Sequence, residues 1–325
     1  MEIVGQPLAQ LANSCDWLAD CLVIFGNSES RTVTTISLFV AGAKGFNFLR
    51  RTIEESSIDV VCSYPSKGTL CNAYDEIKRL CQDHDVAFVD KHALAPSSYQ
   101  ASQFVFCVGW QFLIHEIDPR FIVFHDSLLP RYRGFAPTVA ALIAGDDKLG
   151  VSAFRPEPGV DTGDILDQEP LRVTYPVTVR EVYDKLGGAY AALAKRLLAA
   201  ARTGPLVGSA QVEADATYSI WRSEEDYTID WTQSAADIRR FIDALGWPYL
   251  GAKTRYQGNE IRIEHAQELP DLAFVNRQPG KIWAIGPTRL TAEIVCGQGI
   301  LRIVRATLPD QTQLHFTSLR QRLGE

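Results

Sequence analysis

The sequence predicts an α/β protein in which a mostly parallel sheet with helices is followed by a smaller, mainly β domain. Short apolar runs alternate with segments of helical periodicity through the first two thirds of the chain. A long helix rich in alanine and leucine then ends at Gly204-Pro205, and strand-like segments separated by glycine and proline follow. Within the 325 residues we therefore distinguish an extension (1–34), an α/β domain (35–204), and a linker with a small β domain (205–325).

The first predicted element is a strand, because residues 36–40 form an apolar run with a β-branched start. A glycine-rich turn at 41–45 leads into helical periodicity over 46–55. Strands that alternate with helices in this way pair in parallel and place active groups at their carboxyl ends. The alternation continues with strands over 58–64, 86–89, 103–108 and 121–125 and a helix over 70–83.

The later elements follow from the same patterns. Residues 136–144 predict a short helix and residues 179–203 a long one. Between them, strands over 150–154 and 164–171 flank an irregular loop at 155–163. The strands predicted in the β domain are 261–264, 280–285, 290–296 and 300–306.

Composition and charge narrow the class of protein. There are 39 acidic and 32 basic residues, a net charge of −7, which offers no broad electrostatic footprint for nucleic acid. No run of about 18 apolar residues predicts a membrane span, and the first residues lack the basic stretch of a secretory signal. The seven cysteines are odd in number and include no CxxC pair, so we expect neither a disulfide framework nor a metal site. These features predict a cytoplasmic protein.

The densest polar segment follows the strand that ends at residue 125. His125 occupies the carboxyl end of that strand, where open α/β sheets place their sites. Asp126 and Ser127 offer hydrogen-bonding groups beside it. Arg131 and Arg133 follow in the same loop, and a guanidinium matches phosphate geometry. We therefore expect a polar site with an anion-binding edge.

A second polar segment, residues 157–166, carries two carboxylates three residues apart, Asp161 and Asp164, in a loop flanked by glycine. Paired with a histidine, one carboxylate can orient the imidazole and stabilise its protonated form. The spacing alone does not indicate whether Asp161 or Asp164 plays this role.

Together these segments resemble the formyltransferase family that uses 10-formyltetrahydrofolate. Its signature is His-x-Ser-Leu-Leu-Pro-x-x-(Arg/Lys)-Gly, followed about 36 residues later by Asp-x-Gly. Residues 125–134 and 161–163 match it, as do 135–137 and 144–146. The resemblance covers most of residues 36–325. It implies a Rossmann-like catalytic domain and, after a linker near residues 229–252, a small OB-like barrel.

The resemblance implies His125 and Asp161 as catalytic residues and 10-formyltetrahydrofolate as co-substrate. The family has an asparagine two residues before the histidine, where this chain has Val123. Residues two apart on a strand face the same way, so a methyl group replaces an amide donor. Loss of one oxyanion donor typically costs about a hundred- to a thousandfold in rate. The substitutes we consider are Asp126, Ser127, Gln111 and Trp110.

By resemblance, the pterin of the co-substrate binds at residues 107–113, where Gly109 permits a close approach of the backbone. The residues expected to contact the co-substrate are Cys107, Gly109, Trp110, Phe112 and Leu113, together with Asp161. The residues expected to contact the acceptor are Lys44, Arg131 and Arg133.

The acceptor amine is expected to be a nucleotide-linked amino sugar used for O-antigen or another surface glycan. Residues 205–325 contain 13 basic and 15 acidic residues, a net of −2, which leaves −5 of the total −7 for residues 1–204. Neither part is basic, although phosphate contacts dominate tRNA binding. Residues 218–222 also resemble the sugar branch. Methionyl-tRNA formyltransferase, a hydrolase of 10-formyltetrahydrofolate and a non-catalytic folate or sugar-nucleotide binding protein stay open as alternatives. A homodimer stays open too, and no membrane partner is expected.

Overall fold

The computed structural model of this protein describes residues 34–66, 69–70, 72–112 and 118–325. The predicted extension lies outside these residues except for Thr34, and Leu113 lies outside them as well. Within the described ranges, no helix combines the length and apolar character needed to cross a membrane.

The first part of the described chain is built on one seven-stranded sheet. The strands up to residue 219 are β1 (Thr35–Val40), β2 (Ser57–Ser63), β3 (Ala87–Asp90), β4 (Phe104–Val108), β5 (Phe121–His125), β6 (Arg133–Gly134), β7 (Lys148–Phe154), β8 (Ile165–Arg172) and β9 (Tyr218–Ser219). Two of these, β6 and β9, pair with each other in a separate two-stranded sheet. The sheet has the order β3-β2-β1-β4-β5-β7-β8. Its first five strands are parallel, whereas β7 and β8 are antiparallel additions. The predicted mostly parallel sheet is confirmed.

The helices in the described ranges are α1 (Gly42–Thr52), α2 (Tyr74–Asp83), α3 (Pro137–Ala144), α4 (Val179–Ala201) and α5 (Ala235–Leu245). Three of these five helices, α1, α2 and α4, pack on the seven-stranded sheet. A capping box begins α4, because the Thr178 hydroxyl accepts the Glu181 N–H while the Glu181 carboxylate accepts the Thr178 N–H. The first helix begins at Gly42 rather than at the predicted residue 46, since the glycine-rich turn itself forms its first turn. Lys44 therefore lies at the start of a helix, directly after β1.

The C-terminal part is an antiparallel five-stranded sheet, which confirms its mainly β prediction. Its strands are β10 (Ala252–Tyr256), β11 (Asn259–Leu269), β12 (Ile282–Ile285), β13 (Ala292–Val295) and β14 (Ile300–Thr307). The order is β10-β11-β14-β13-β12, with β10 and β12 at the edges. The strand β10 begins at Ala252, where the predicted linker ends, and was not predicted; the predicted strand 261–264 is the centre of the longer β11. The domain boundary at residue 205 stays a prediction.

Candidate active site

A cavity of about 430 Å³ opens at the edge of the seven-stranded sheet where β1, β4 and β5 end. This volume lies within the range typical of small-molecule sites. The parallel strands deliver their following residues to one edge, as the alternation of strands and helices predicts. The segments that supply most of the lining are 41–44, 107–112, 123–126, 134–137, 154–161, 221–227 and 245–250.

His125 ends β5 and lies against the floor of this cavity, 7% exposed. Its Nε2 lies 2.8 Å from the Tyr132 carbonyl oxygen, and its Nδ1 lies 3.4 Å from Oδ2 of Asp161. A carbonyl oxygen only accepts, so Nε2 carries the hydrogen of the first bond. A neutral imidazole has one N–H, whereas the imidazolium has two and can donate to both acceptors. The geometry therefore suits a histidine that gains its second proton on Nδ1.

Asp161 is held in place by its loop. Its φ of 55° lies in the left-handed region, which aspartate tolerates better than most residues. Its Oδ2 accepts the Gly134 N–H at 2.7 Å, and its carbonyl oxygen accepts an N–H of the Gln211 amide at 2.7 Å. Gly134 has a φ of 101°, and a Cβ there would collide with the Ser219 carbonyl oxygen. The carboxylate is therefore fixed beside Nδ1 of His125.

Asp126 is buried and forms an ion pair with Lys44. The Lys44 ammonium donates to both carboxylate oxygens, at 3.0 and 2.8 Å, and the Thr138 hydroxyl donates to one of them at 2.7 Å. Burial alone would raise the pKa of Asp126, but the attraction of Lys44 and these donated bonds lower it to about 2. Burial opposes the charge of Lys44 too, yet Asp126 raises its pKa. An ionised carboxylate only accepts hydrogen bonds, and the auxiliary role of Asp126 stays a prediction.

One wall of the cavity is apolar and aromatic. Trp110 and Phe112 lie with ring centroids 5.7 Å apart, and both line the cavity. Gly109, between them and β4, has a φ of 67°, and a Cβ there would lie 2.5 Å from the Ala41 carbonyl oxygen. The glycine thus lets the end of β4 pass close to the end of β1. Such a wall suits a flat heterocycle.

Val123 replaces the asparagine of the family signature on this same wall. It lines the cavity, packs near Trp110 against the apolar cluster behind the wall, and pairs across β5 and β7 with Phe154. Its partner Phe154 on β7 is apolar, and the valine side chain has no polar group to present to the cavity. A valine side chain supplies no hydrogen-bond donor at the position of the family's asparagine.

The structure brings together most, but not all, of the predicted site residues. Ser127 donates its hydroxyl to the Arg131 carbonyl oxygen at 2.5 Å and does not line the cavity. Ser127 therefore acts within its own turn. The predicted residues that do line the cavity are Lys44, Cys107, Gly109, Trp110, Gln111, Phe112, His125, Asp126 and Asp161. Of these, Cys107 is buried, which raises the pKa of its thiol.

The two arginines predicted to bind acceptor phosphate are placed elsewhere. The Arg131 guanidinium lies 2.7 Å from the Asp146 carboxylate, outside the lining. Arg133 is 1% exposed and donates to Glu213 at 2.8 Å and to Gln211 at 3.0 Å. The expectation for both is corrected, because carboxylates within the chain already bind their guanidinium groups.

Five further lining residues were given no site role from the sequence, although most belong to segments that carry the resemblance. Trp221 and Phe135 are 58% and 42% exposed, and their rings meet edge to face with centroids 5.2 Å apart. Arg222, Glu157 and Glu224 also line the cavity. The sequence signal for Trp221 and Arg222 was their place in residues 218–222, which resemble the sugar branch. Among the described residues, no group of three or more His, Cys, Asp or Glu side chains is arranged to hold a metal ion.

Two domain families match this chain over the parts that build the site and the second sheet. Residues 96–195, which include His125 and Asp161, match the family described as formyl transferase. Residues 222–323 match the formyl transferase C-terminal domain. The chain belongs to the formyl transferase family. The resemblance seen in residues 125–134 and 161–163 is thereby confirmed at the level of the family.

Two methionyl-tRNA formyltransferases and one solved structure illustrate the similarity of this formyl transferase family member to known proteins. It is 37% identical over 188 residues to a methionyl-tRNA formyltransferase of Marinobacter nauticus, an overlap of 57% of this chain and 58% of that protein. It is 29% identical over 259 residues to the enzyme of that name from Pseudomonas syringae pv. syringae, covering 75% and 79%. The solved structure of WlaRD, a sugar 3N-formyl transferase, matches with a TM-score of 0.58 at 15% identity, over 86% of this chain and 99% of that one. The chain thus spans less than two thirds of the Marinobacter relative, and the WlaRD likeness concerns the fold.

Proposed function

We propose that this formyl transferase family member transfers a formyl group from 10-formyltetrahydrofolate to the amine of a small acceptor. The observation that carries the proposal is the His125–Asp161 pair, with 3.4 Å between Nδ1 and Oδ2, beside a cavity with an aromatic wall. When bound, the co-substrate supplies a formyl carbon attached to a folate nitrogen. Trp110 and Phe112 are the side chains suited to hold its pterin, and Gly109 gives that ring access to the backbone.

In the overall step the acceptor nitrogen forms a bond to the formyl carbon and the bond from that carbon to the folate nitrogen breaks. One proton moves from the acceptor amine to the folate nitrogen. Nδ1 of His125 takes that proton from the amine, because Nε2 is already bound to the Tyr132 carbonyl oxygen. Asp161 stabilises the imidazolium formed, and the proton then leaves Nδ1 for the folate nitrogen. His125 and Asp161 end the step in the states in which they began it.

We infer that the acceptor is a nucleotide-linked amino sugar. Glu157 and Asp161 give the lining carboxylates that suit an incoming ammonium group. The exposed rings of Trp221 and Phe135 offer an aromatic surface for a nucleobase. Arg222 adjoins them and matches phosphate chemistry. Use of the product in O-antigen or another surface glycan is part of this proposal.

Methionyl-tRNA is the second candidate acceptor, since relatives with that activity in their names match the chain. The charge of the C-terminal part disfavours it. Eight of the 13 basic side chains of residues 205–325 form ion pairs with carboxylates, which occupies cations that tRNA phosphates would need. These eight are Arg239, Arg240, Lys253, Arg262, Arg277, Arg302, Arg305 and Arg322.

A panel of acceptors tests the proposal. The protein is incubated with 10-formyltetrahydrofolate and, in separate reactions, several amino-sugar nucleotides, methionyl-tRNA and water alone. We expect formyl transfer to an amino-sugar nucleotide, with kcat/KM well above that for methionyl-tRNA. Turnover with methionyl-tRNA alone would assign the second candidate. Release of formate without any acceptor would indicate a hydrolase, and folate binding without turnover would indicate a binding protein.

A further inference from the structure

We propose that Lys44 supplies the positive charge that stabilises the developing oxyanion, in place of the amide absent at Val123. This inference rests on the proposed formyl transfer. It names a residue outside the family signature, on the first turn of α1, 81 positions before His125 in the sequence.

The need for such a group follows from the wall that carries His125. Val123 and His125 lie two residues apart on β5 and line the same cavity. An amide at residue 123 would place donors beside the reacting carbonyl, whereas a valine places methyl groups there. Formation of the bond to the acceptor nitrogen moves the carbonyl electron pair onto oxygen, and that oxygen requires a donor or a cation.

Of the four substitutes considered from the sequence, Trp110 offers an uncharged indole N–H on the lining, and the other three are less suitable. Asp126 is ionised and accepts bonds from Lys44 and Thr138. The Ser127 hydroxyl donates to the Arg131 carbonyl oxygen within its own turn. Gln111 is an exposed, uncharged residue on the loop after β4.

Lys44 meets the requirements of geometry and charge. Its ammonium lies 2.8 Å from the carboxylate of Asp126, the residue directly after His125, and Lys44 and His125 line the same cavity. Its side chain is 21% exposed and that of Asp126 is 7% exposed, and both line the cavity. The lysine of the pair is thus the more exposed partner. An ammonium has three donors, and the two carboxylate oxygens account for two of them.

The surroundings keep this charge where it is needed. Lys44 lies 5.3 Å from the ring centroid of Tyr183, a face that attracts cations. Burial raises the pKa of Tyr183 and of Tyr249, so both phenols are neutral at physiological pH and do not cancel the ammonium. Within the described lining, the other cationic side chain is Arg222, which adjoins the aromatic rim. Of these two cations, Lys44 is the one paired with Asp126, the residue that follows β5.

Removal of Lys44 together with its partner tests the role without leaving a buried unpaired carboxylate, which would threaten the fold. We expect Lys44→Met combined with Asp126→Asn to lower kcat at least about a hundredfold, with the Kd for tetrahydrofolate unchanged within about threefold. Lys44→Arg, which keeps the charge, is expected to retain most of the rate. Lys185→Met, an exposed lysine of α4, is the matched control and is expected to change nothing.

Adding Val123→Asn to the Lys44 variant gives a rescue experiment. If Lys44 only supported the fold, the new amide would not restore the rate. In the Lys44→Met/Asp126→Asn background the new amide is expected to restore the rate at least about tenfold, whereas in the natural protein it brings no gain. A rate that stays within threefold after loss of Lys44 would overturn the proposal. An effect confined to the acceptor KM, or a loss of rate matched by loss of folate binding or of Tm, would overturn it as well.

A binding measurement separates this inference from the proposed function. Formate, an anion of the size of the reacting group, is titrated calorimetrically into the protein saturated with tetrahydrofolate. We expect the formate affinity to fall at least about tenfold in Lys44→Met/Asp126→Asn and to stay unchanged in Lys185→Met. If the natural protein transfers formyl to no acceptor, the proposed function has failed, and formate binding still decides on Lys44. Equal formate affinity in all three proteins would contradict the role of Lys44.

Discussion

Replacing Asp161 with asparagine removes one charge from the site and little else. The amide oxygen of asparagine can still accept the Gly134 N–H that Oδ2 accepts at 2.7 Å. Asparagine also tolerates the left-handed backbone, with its φ of 55°, at residue 161. The loop is therefore expected to keep its shape. What is lost is the attraction between a carboxylate and the imidazolium that His125 forms during proton transfer.

The structure allows the size of that loss to be worked out. Two opposite unit charges about 4 Å apart attract by about 4 kcal/mol at the effective dielectric constant of partly exposed sites. Oδ2 of Asp161 lies 3.4 Å from Nδ1 of His125, but the carboxylate is 19% exposed, and solvent screens part of the attraction. A remaining contribution of about 3 kcal/mol corresponds to about a hundredfold in rate.

The assay is the initial rate of tetrahydrofolate formation with a saturating acceptor, measured alongside the Kd for tetrahydrofolate. We expect Asp161→Asn to lower kcat about a hundredfold and to leave the Kd and the Tm nearly unchanged. Asp164→Asn, three residues along the same loop, is the matched control and is expected to keep the rate. A change of less than about threefold in Asp161→Asn would refute the assigned role of Asp161.

Three further predictions follow from the same geometry. His125→Ala is expected to abolish transfer while circular dichroism and Tm show a folded protein; turnover like that of the natural protein would refute its role as the base. Val123→Asn alone is expected to leave the rate unchanged or lower it, because the amide would face the apolar wall near Trp110 and Phe154, and a large gain in rate would show that no group replaces the missing donor. Trp221→Ala is expected to raise the KM for a nucleotide sugar about tenfold with kcat retained, and an unchanged KM would place the nucleotide elsewhere.

Local patterns predicted the parts of the fold that local sequence controls. Alternating apolar runs and helical periodicity located the five parallel strands and α4, because the buried faces of these elements carry a clear period. The helix α5 was missed, although Ser234 caps it by accepting the Asp237 N–H, because the resemblance had placed this stretch near the linker. β10 was missed because its five residues mix charged and polar side chains with apolar ones.

Some residues of the candidate site could likewise be predicted from local sequence, whereas others are placed by tertiary contacts. His125 and Asp161 were predicted because each belongs to a short signature that depends on local sequence. The pairing of Lys44 with Asp126 joins residues 82 positions apart, and only the order of β1, β4 and β5 in the sheet brings them together. Arg133 was misplaced because no local signal showed that its guanidinium would be buried against Glu213. Tertiary contacts thus decided which of the charged residues face the cavity.

The central claim is formyl transfer to the amine of a nucleotide-linked amino sugar. Its most direct measurement is nuclear magnetic resonance of a reaction that contains this protein, 10-formyltetrahydrofolate with an isotopically labelled formyl group, and a set of amino-sugar nucleotides. The account predicts that the label appears as a formamide on the sugar nitrogen of at least one nucleotide, and that His125→Ala does not form it. Label found only as free formate, or only on methionyl-tRNA in a parallel reaction, would contradict the account.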